Sequence, residues 1–260
     1  MRITVEKLEI QSPNTAVINL VDMHEDKQHT TDIHVVGAKA AQLARVEGIY
    51  SQSIFNGTFV VPFHHYEKHV YGNKELYSTI QQLVKDMQGN SNLNINNFSK
   101  LQTAIRAVQI DDELVKSVIE KMKQNNMTSV IFRSSTNAED LTGFNGAGLY
   151  DSVPLKGESL NDPQQVGAAL KKVWASVWNA KWVLEQSSFA FADVWMTSRA
   201  VIERHHYHIE HRNVGMAVLV QPFVDAKLAG VTVHYNGVCI THDVARHKVK
   251  HGFLVNWYIW

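Results

Sequence analysis

The sequence predicts an α+β fold. Short apolar strand runs and helical periodicity share one 260-residue chain, and strands occur in a hairpin as well as between helices. No internal repeat or low-complexity linker interrupts that mixture.

The elements follow in order. "RITVEKLEI" and "NTAVINLVD" alternate and read as strands. "GAKAAQLARVE" is an amphipathic helix opened by Gly37, with Ala40, Leu43 and Ala44 at helical spacing. "GTFVVPFHHYEKHV" is a short apolar strand stopped by Pro62, then a helix. Residues 74–88 and 99–124 read as one helix each, separated by the polar loop "GNSNLNINN". "TSVIFRSS" is a buried strand, and "DPQQVGAALKKVWASVWNAKWVL" a helix with Pro163 near its start. "VGMAVLVQPFV" is an apolar strand closed by Gln221 and Pro222. "AGVTVHYNGVCITHDV" is a hairpin turned by Asn236-Gly237.

Composition bounds the function. Apolar residues make up 45% and charged residues 19%, an ordinary balance for a chain that buries a core. Lys+Arg and Asp+Glu are equal at 25 each, so no net field favours nucleic acid or an anionic membrane, and an anion site has to be local. The single Cys239 excludes an internal disulfide and every multi-cysteine metal motif. No run approaches 18 apolar residues, and "MRITVEKLEI" carries charges where a leader needs its apolar segment. A cytoplasmic location is expected.

Residues 132–153, "FRSSTNAEDLTGFNGAGLYDSV", are too polar for a core strand and too glycine-rich for a helix. Arg133 carries a permanent charge in a planar fork that matches phosphate oxygens, and Ser134 and Ser135 add hydroxyl donors at the same strand end. Gly143, Gly146 and Gly148 let backbone N–H groups approach a ligand with no Cβ in the way. The spacing fits neither the Walker A motif nor the dinucleotide fingerprint. Two readings stand on these residues: a phosphate cradle, or a turn in which Arg133 pairs with Glu139 or Asp140.

The stretch "RSSTNAEDLTGFNGAGLYDSV" resembles the nucleotide-binding signature of the pyruvate phosphate dikinase and phosphoenolpyruvate synthase family, which includes the plant glucan-water dikinases. "VGAKAAQLARV", "FVVPFHHY", "ALKKVWASVWN" and "RNVGMAVLVQPFV" resemble further family segments in the same order, over residues 35–235. The resemblance implies the first part of an ATP-grasp-type nucleotide-binding domain with ATP and Mg²⁺ as cofactors. It implies Lys39 near the phosphates and Arg133 neutralising the transferring groups, both catalytic. Gly143, Asn145, Gly146 and Gly148 would close over the phosphates beside Ser134 and Ser135, with Gln221 and Phe223 at the hinge beside adenine. Glu139 and Asp140 would orient Arg133 or the loop. The metal ligands are left unassigned.

The expected organisation is an N-terminal pair of strands over 1–34, the nucleotide-binding domain over 35–235 and a divergent tail over 236–260. Within the domain, "AKWVLEQSSFAFADVWMTS" (180–198) is an insert relative to the family, either a packed extension or a partner-binding face. The resemblance implies a later part of the domain with acidic metal ligands, yet after Asp225 only Asp243 remains as a carboxylate. The second wall of the ATP cleft is expected to be missing or replaced here and supplied by a downstream or separate chain. That chain would also carry the phosphohistidine domain. "ITHDVARH" lacks the glycine-rich lead of a phosphohistidine motif.

His205, His206, His208 and His211 cluster in "ERHHYHIEH", and His242, His247 and His251 form a looser group. Helical spacing would make His208 and His211 neighbours, yet no third ligand is fixed, so a solvated face is expected rather than a metal site. Trp174 and Trp178, at i and i+4, are read as core. The expected function is the ATP-binding portion of a dikinase-type phosphotransferase. The alternatives are a non-catalytic nucleotide- or anion-binding protein and, lower, a histidine-rich metal module.

Overall fold

The computed structural model describes residues 16–25, 33–49, 55–89, 94–138, 140–141, 144–145, 148–180, 183–184, 196–197, 200–224, 230–235 and 238–243. It divides into two compact units, Met1–Pro222 and Phe223–Trp260. The "RITVEKLEI" stretch and His247 and His251 lie outside the described residues.

The first unit opens with β1 (Ile18–Asn19) and α1 (Leu20–Glu25). The strand expected over "NTAVINLVD" is therefore two residues long. Leu20 and Met23 stand at helical spacing and both are fully buried, so helical packing wins from Leu20 onward. Next come α2 (Ile33–Glu47), β2 (Phe59–Val61), α3 (Phe63–Val70) and α4 (Lys74–Gly89). Pro62 separates β2 from α3 as its sequence position suggested.

The single helix expected over 99–124 is two: α5 (Ile95–Ala107) and α6 (Asp112–Gln124). Asn94 caps α5 by accepting from Asn96 N at 3.1 Å, and Asp111 caps α6 by accepting from Glu113 N at 3.0 Å. Val108 is extended between them, and Ile110 is buried. The break carries neither Gly nor Pro, which is why periodicity ran through it.

The remainder contains β3 (Ser129–Thr136), β4 (Asp140–Leu141), β5 (Phe144–Asn145) and β6 (Ser152–Lys156), of which only β3 was anticipated. Helix α7 (Pro163–Ala175) is capped by Asp162 and continues as a 3₁₀ turn over Ser176–Trp178. It stops there because Asn179 is extended, earlier than the sequence reading placed its end. Strands β7 (Val183–Leu184) and β8 (Met196–Thr197) pair inside the insert. Helix α8 (Ala200–His206) and β9 (Met216–Pro222) complete the unit.

A wholly antiparallel sheet of order β1-β2-β9-β3-β6 organises these elements. Period-two alternation splits its side chains between two cores. Val60, Ala217 and Leu219 face α1 and α2, meeting Leu20, Val36, Ala40 and Ala44. Phe59, Val61, Val130, Phe132, Val218 and Val220 face the larger core built with α3 to α7. Trp174 and Trp178 are fully buried in the latter. No helix among the described residues is long and apolar enough to cross a membrane.

In the second unit, β10 (Gly230–Tyr235) and β11 (Val238–Asp243) pair antiparallel with Tyr235 opposite Val238. That register leaves two residues for the turn, in agreement with the hairpin read from the sequence.

Candidate functional site

Lys39 and Arg133 stand 94 residues apart in the sequence, and the α2–β3 junction brings their elements together. Gly37 makes this possible. Its φ of +79° and ψ of 165° break α2 locally, and a Cβ there would lie 2.3 Å from the Ser135 carbonyl oxygen. Helix and strand backbones touch at this point. Ser135, fully buried, donates from Oγ to Val36 O at 2.7 Å and accepts from Ala40 N at 3.0 Å. Two residues along α2, Lys39 Nζ donates to Ser134 O at 2.8 Å, with Ser134 Oγ at 3.4 Å. A lysine ammonium is therefore held at the end of the strand that carries Arg133.

Arg133 is half-buried on β3 and donates from Nη1 to Gln221 Oε1 on β9 at 2.9 Å. Arg133 and Gln221 share the sheet face that packs α2, together with Leu219 and Ala217. The sequence placed Gln221 at a strand end beside a ligand; the structure places it against the arginine. Ser135 differs from its expected role as a phosphate donor. Its one hydroxyl hydrogen is directed at Val36 O, so in this arrangement it braces the helix instead.

The segment after β3 is not a simple glycine loop. Asp140 pairs with Asn145 and Leu141 with Phe144 in a two-residue ladder. Gly148 has φ +75° and nothing within 4 Å of a Cβ position, so the requirement there is conformational rather than steric. Glu139, Gly143 and Gly146 lie outside the described residues. Phe223 begins the second unit and is not placed in this site.

The sequence reading passed over the residues at the two ends of this segment. Asn137, buried, donates from Nδ2 to Asn213 O at 2.7 Å and accepts from Gly215 N at 3.0 Å. Asn179 donates from Nδ2 to Asp151 Oδ1 at 3.1 Å and to Leu149 O at 3.4 Å, while its Oδ1 accepts from Gln102 Nε2. Arg204, fully buried, donates to Tyr150 Oη at 3.2 Å, Val177 O at 2.5 Å and His211 Nδ1 at 3.3 Å. "WN" and "ER" carried no chemical signal beyond polarity in an apolar neighbourhood.

The histidine cluster does not form the helical pair its spacing suggested. Helix α8 ends at His206, and His208 adopts φ +57°. The His205 and His211 rings stack with centroids 6.4 Å apart. Burial, followed by the Arg204 guanidinium and His205, holds His211 well below the usual imidazole range, so it is neutral and accepts at Nδ1. Among the described residues no three His, Cys, Asp or Glu side chains converge as a metal site.

A cavity of about 410 Å³ lies elsewhere, lined by Lys68, His69, Gln109, Asp111, Leu114 and Trp174 among others. Lys68 and Asp111 form an ion pair at 2.5 Å beside it. None of the candidate nucleotide-site residues lines it.

The family model for the pyruvate phosphate dikinase AMP/ATP-binding domain matches residues 33–184, a span that takes in Lys39, Arg133 and the segment after β3. The chain belongs to this family. Among relatives of this dikinase family, rifampicin phosphotransferase of Bacillus subtilis (strain 168) is 26% identical over 214 residues, covering 82% of this chain and 22% of that protein. A probable phosphoenolpyruvate synthase of Methanothermobacter thermautotrophicus is 24% identical over 234 residues, covering 86% of this chain and 30% of that protein. A 30-residue stretch is 67% identical to alpha-glucan water dikinase 1, chloroplastic, of Arabidopsis thaliana, covering 12% of this chain and 2% of that protein. The chain thus spans less than a third of the length of these relatives. It carries the ATP-binding part characteristic of the dikinase family.

Proposed function

We propose that the α2 face of the sheet end binds the phosphates of ATP in an ATP-grasp-type arrangement, as the nucleotide-binding portion of a dikinase-type phosphotransferase. The observation that carries this reading is Lys39 Nζ resting 2.8 Å from Ser134 O, next along β3 from Arg133. Lys39 is tied to the residue after Arg133 on β3, and the glycine-rich segment follows that strand in sequence, so two cations are available on this reading where phosphate charge needs neutralising. In this reading Lys39 and Arg133 contact phosphate oxygens and Ser134 adds a hydroxyl donor. Backbone N–H groups over 143–148 cover the anion, and Asn145 supports them. Gln221 orients Arg133, while Glu139 and Asp140 orient the segment. Ser135 is assigned to the helix–strand junction instead.

Mg²⁺ accompanies ATP in phosphoryl transfer. The described residues alone offer no three-ligand cluster for it, so no step is assigned to the ion. The acceptor, the phosphate carrier and the rest of the cleft belong in this proposal to further polypeptide, downstream or separate, in the cytoplasm.

Calorimetry with ATP, with and without Mg²⁺, tests the reading. Saturable ATP binding that is weakened by Lys39→Ala supports it. An affinity indifferent to Lys39→Ala and Arg133→Ala in folded protein overturns it. Labelled ATP, followed by detection of acid-labile phosphoprotein, separates a transferring enzyme from a non-catalytic nucleotide binder.

A further inference from the structure

Arg204 is fully buried, and its partners among the described residues are a phenol, a backbone carbonyl and a neutral imidazole: Tyr150 Oη, Val177 O and His211 Nδ1. None of the three carries a negative charge. Tyr66 on α3 and Tyr71 at its C-cap stand close enough for this guanidinium to act on both phenols. Burial holds the Tyr66 hydroxyl well above its ordinary range and pushes Tyr71 up to about 12, so both phenols are neutral. Arg212 adds a second cation near Tyr71. Glu67 also acts on Tyr71, but its own carboxyl is raised by burial alone, with no contribution from Arg204, so it is not the counter-ion of the guanidinium.

The same neighbourhood is rich in polar hydrogens and poor in acceptors. The Tyr66 and Tyr71 rings meet edge-on with centroids 5.8 Å apart, and Trp178 follows α7 in the 3₁₀ turn. Trp178 and Tyr71 both approach the Tyr66 hydroxyl closely enough to influence its ionisation, without reaching hydrogen-bond geometry. Tyr66 Oη, Tyr71 Oη and Trp178 Nε1 are all enclosed, and none has a partner among the described residues. An indole N–H can only donate, and each phenol brings one hydrogen. If Trp178 donated to Tyr66 and Tyr66 to Tyr71, the Tyr71 hydrogen would still be left over. Rotating the hydroxyls moves that surplus without removing it. His211 adds to it: accepting at Nδ1 puts its hydrogen on Nε2, which is enclosed and unpartnered, in a ring 6.4 Å from that of Trp178.

We propose that Tyr66, Tyr71, Trp178 and Arg204 form a binding site for one compact monovalent anion of the chloride type. The site lies in the larger core, across the sheet from the face that carries Arg133 and Gln221, and is independent of the nucleotide reading. A water molecule could satisfy the phenols but would leave the guanidinium charge uncompensated in the interior. A halide accepts from several donors at once and cancels that charge. Its ligands come from α3, the turn after α7 and α8, so the anion serves as a structural cofactor that fastens α8 to the core.

The test uses the full chain, freed of halide and held in sodium gluconate. Chloride is titrated in at constant ionic strength, with chloride NMR line width reporting binding and Tm reporting stability. Saturable broadening that bromide displaces, with Tm rising over the same concentrations, is the expected result. Tyr66→Phe should weaken chloride by roughly tenfold, the scale of one lost hydrogen bond to a charged partner. In gluconate the same variant should lose no stability, because it removes a buried hydroxyl that has no partner. A purely structural hydroxyl would instead lower Tm equally in both salts, which overturns the proposal. Crystals grown in bromide should show an anomalous peak among Tyr66, Trp178 and Arg204. Wild-type protein with no saturable chloride signal overturns the proposal, as does an affinity unchanged in Tyr66→Phe. So does a water at that position with bromide at the surface as an adventitious ion only. If Tyr66→Phe does not fold, Trp178→Phe removes the indole hydrogen and must weaken chloride likewise, and the bromide peak decides without any variant.

Discussion

Arg133 and Gln221 are hydrogen-bonded at 2.9 Å across β3 and β9, although neither is the other's register partner. Arg133 lies opposite Leu219, and Gln221 opposite Ile131, so the contact is diagonal on the α2 face. A neutral amide fixes the guanidinium's direction without neutralising its charge.

Replacement of Arg133 by alanine should therefore affect binding more than folding. A charge-assisted contact to phosphate contributes about 1.5–3 kcal/mol, so ATP affinity should fall by roughly tenfold or more. Calorimetry on folded Arg133→Ala protein measures this. An unfolded variant whose folded fraction binds ATP normally would make Arg133 a structural residue.

Gly37→Ala should damage the junction that delivers Lys39. The backbone at φ +79° and ψ 165° is open almost only to glycine, and a Cβ would meet the Ser135 carbonyl at 2.3 Å. Strain of about 1–3 kcal/mol, with the contact added, should lower Tm by roughly 5 °C or more. A thermal melt indistinguishable from wild type would show that α2 and β3 separate without cost.

Ser135→Ala strands two buried backbone groups, Val36 O and Ala40 N. Each costs about 1–3 kcal/mol when left unsatisfied. Urea unfolding should show a lower midpoint at an unchanged slope, which separates lost stability from a change in the denatured chain. Recovery by Ser135→Thr would place the effect on the hydroxyl.

Glu67 gives the protein an unusual pH response. Burial pushes its carboxyl up to about 7 from an ordinary value of 4.5. The folded state thus binds this proton more tightly than the unfolded state. The contribution is fully present below about pH 4.5 and is lost as pH rises through 7. Burial lowers His69 and His211, and the sign is opposite for them: their contribution is present above 6.5 and is lost progressively as pH falls from there through their depressed folded values. The difference in Tm between Glu67→Gln and wild type isolates the carboxyl. It should grow from pH 5 to pH 8 in favour of the variant; a difference independent of pH would contradict the assignment.

The strands that build the site were legible because burial on both faces leaves continuous apolar runs: "VIF" before Arg133 and "MAVLV" before Gln221. Composition alone left the cradle and a structural Arg133 open, and ordered motifs tipped the reading toward nucleotide. The break at Val108–Asp111 was hidden because Asp111 caps a helix while sitting in an unbroken polar-apolar rhythm. Asn137, Asn179 and Arg204 were hidden for a different reason. Their importance comes from partners up to 78 residues away, and no local spacing encodes such a partner.

The strand order β1-β2-β9-β3-β6 has a consequence for synthesis on the ribosome. β3 and β6 can join as soon as residue 156 emerges, since they are adjacent in the sheet and only the small β4–β5 ladder lies between them in the chain. β2 and β3 cannot meet at all: β9, more than 150 residues after β2, is the strip between them. The nascent chain must carry two incomplete halves, each with an open hydrogen-bonding edge, until Met216–Pro222 clears the exit tunnel. Translation pauses just before that strand would lengthen the exposure of those edges, and chaperone capture would be strongest in that interval.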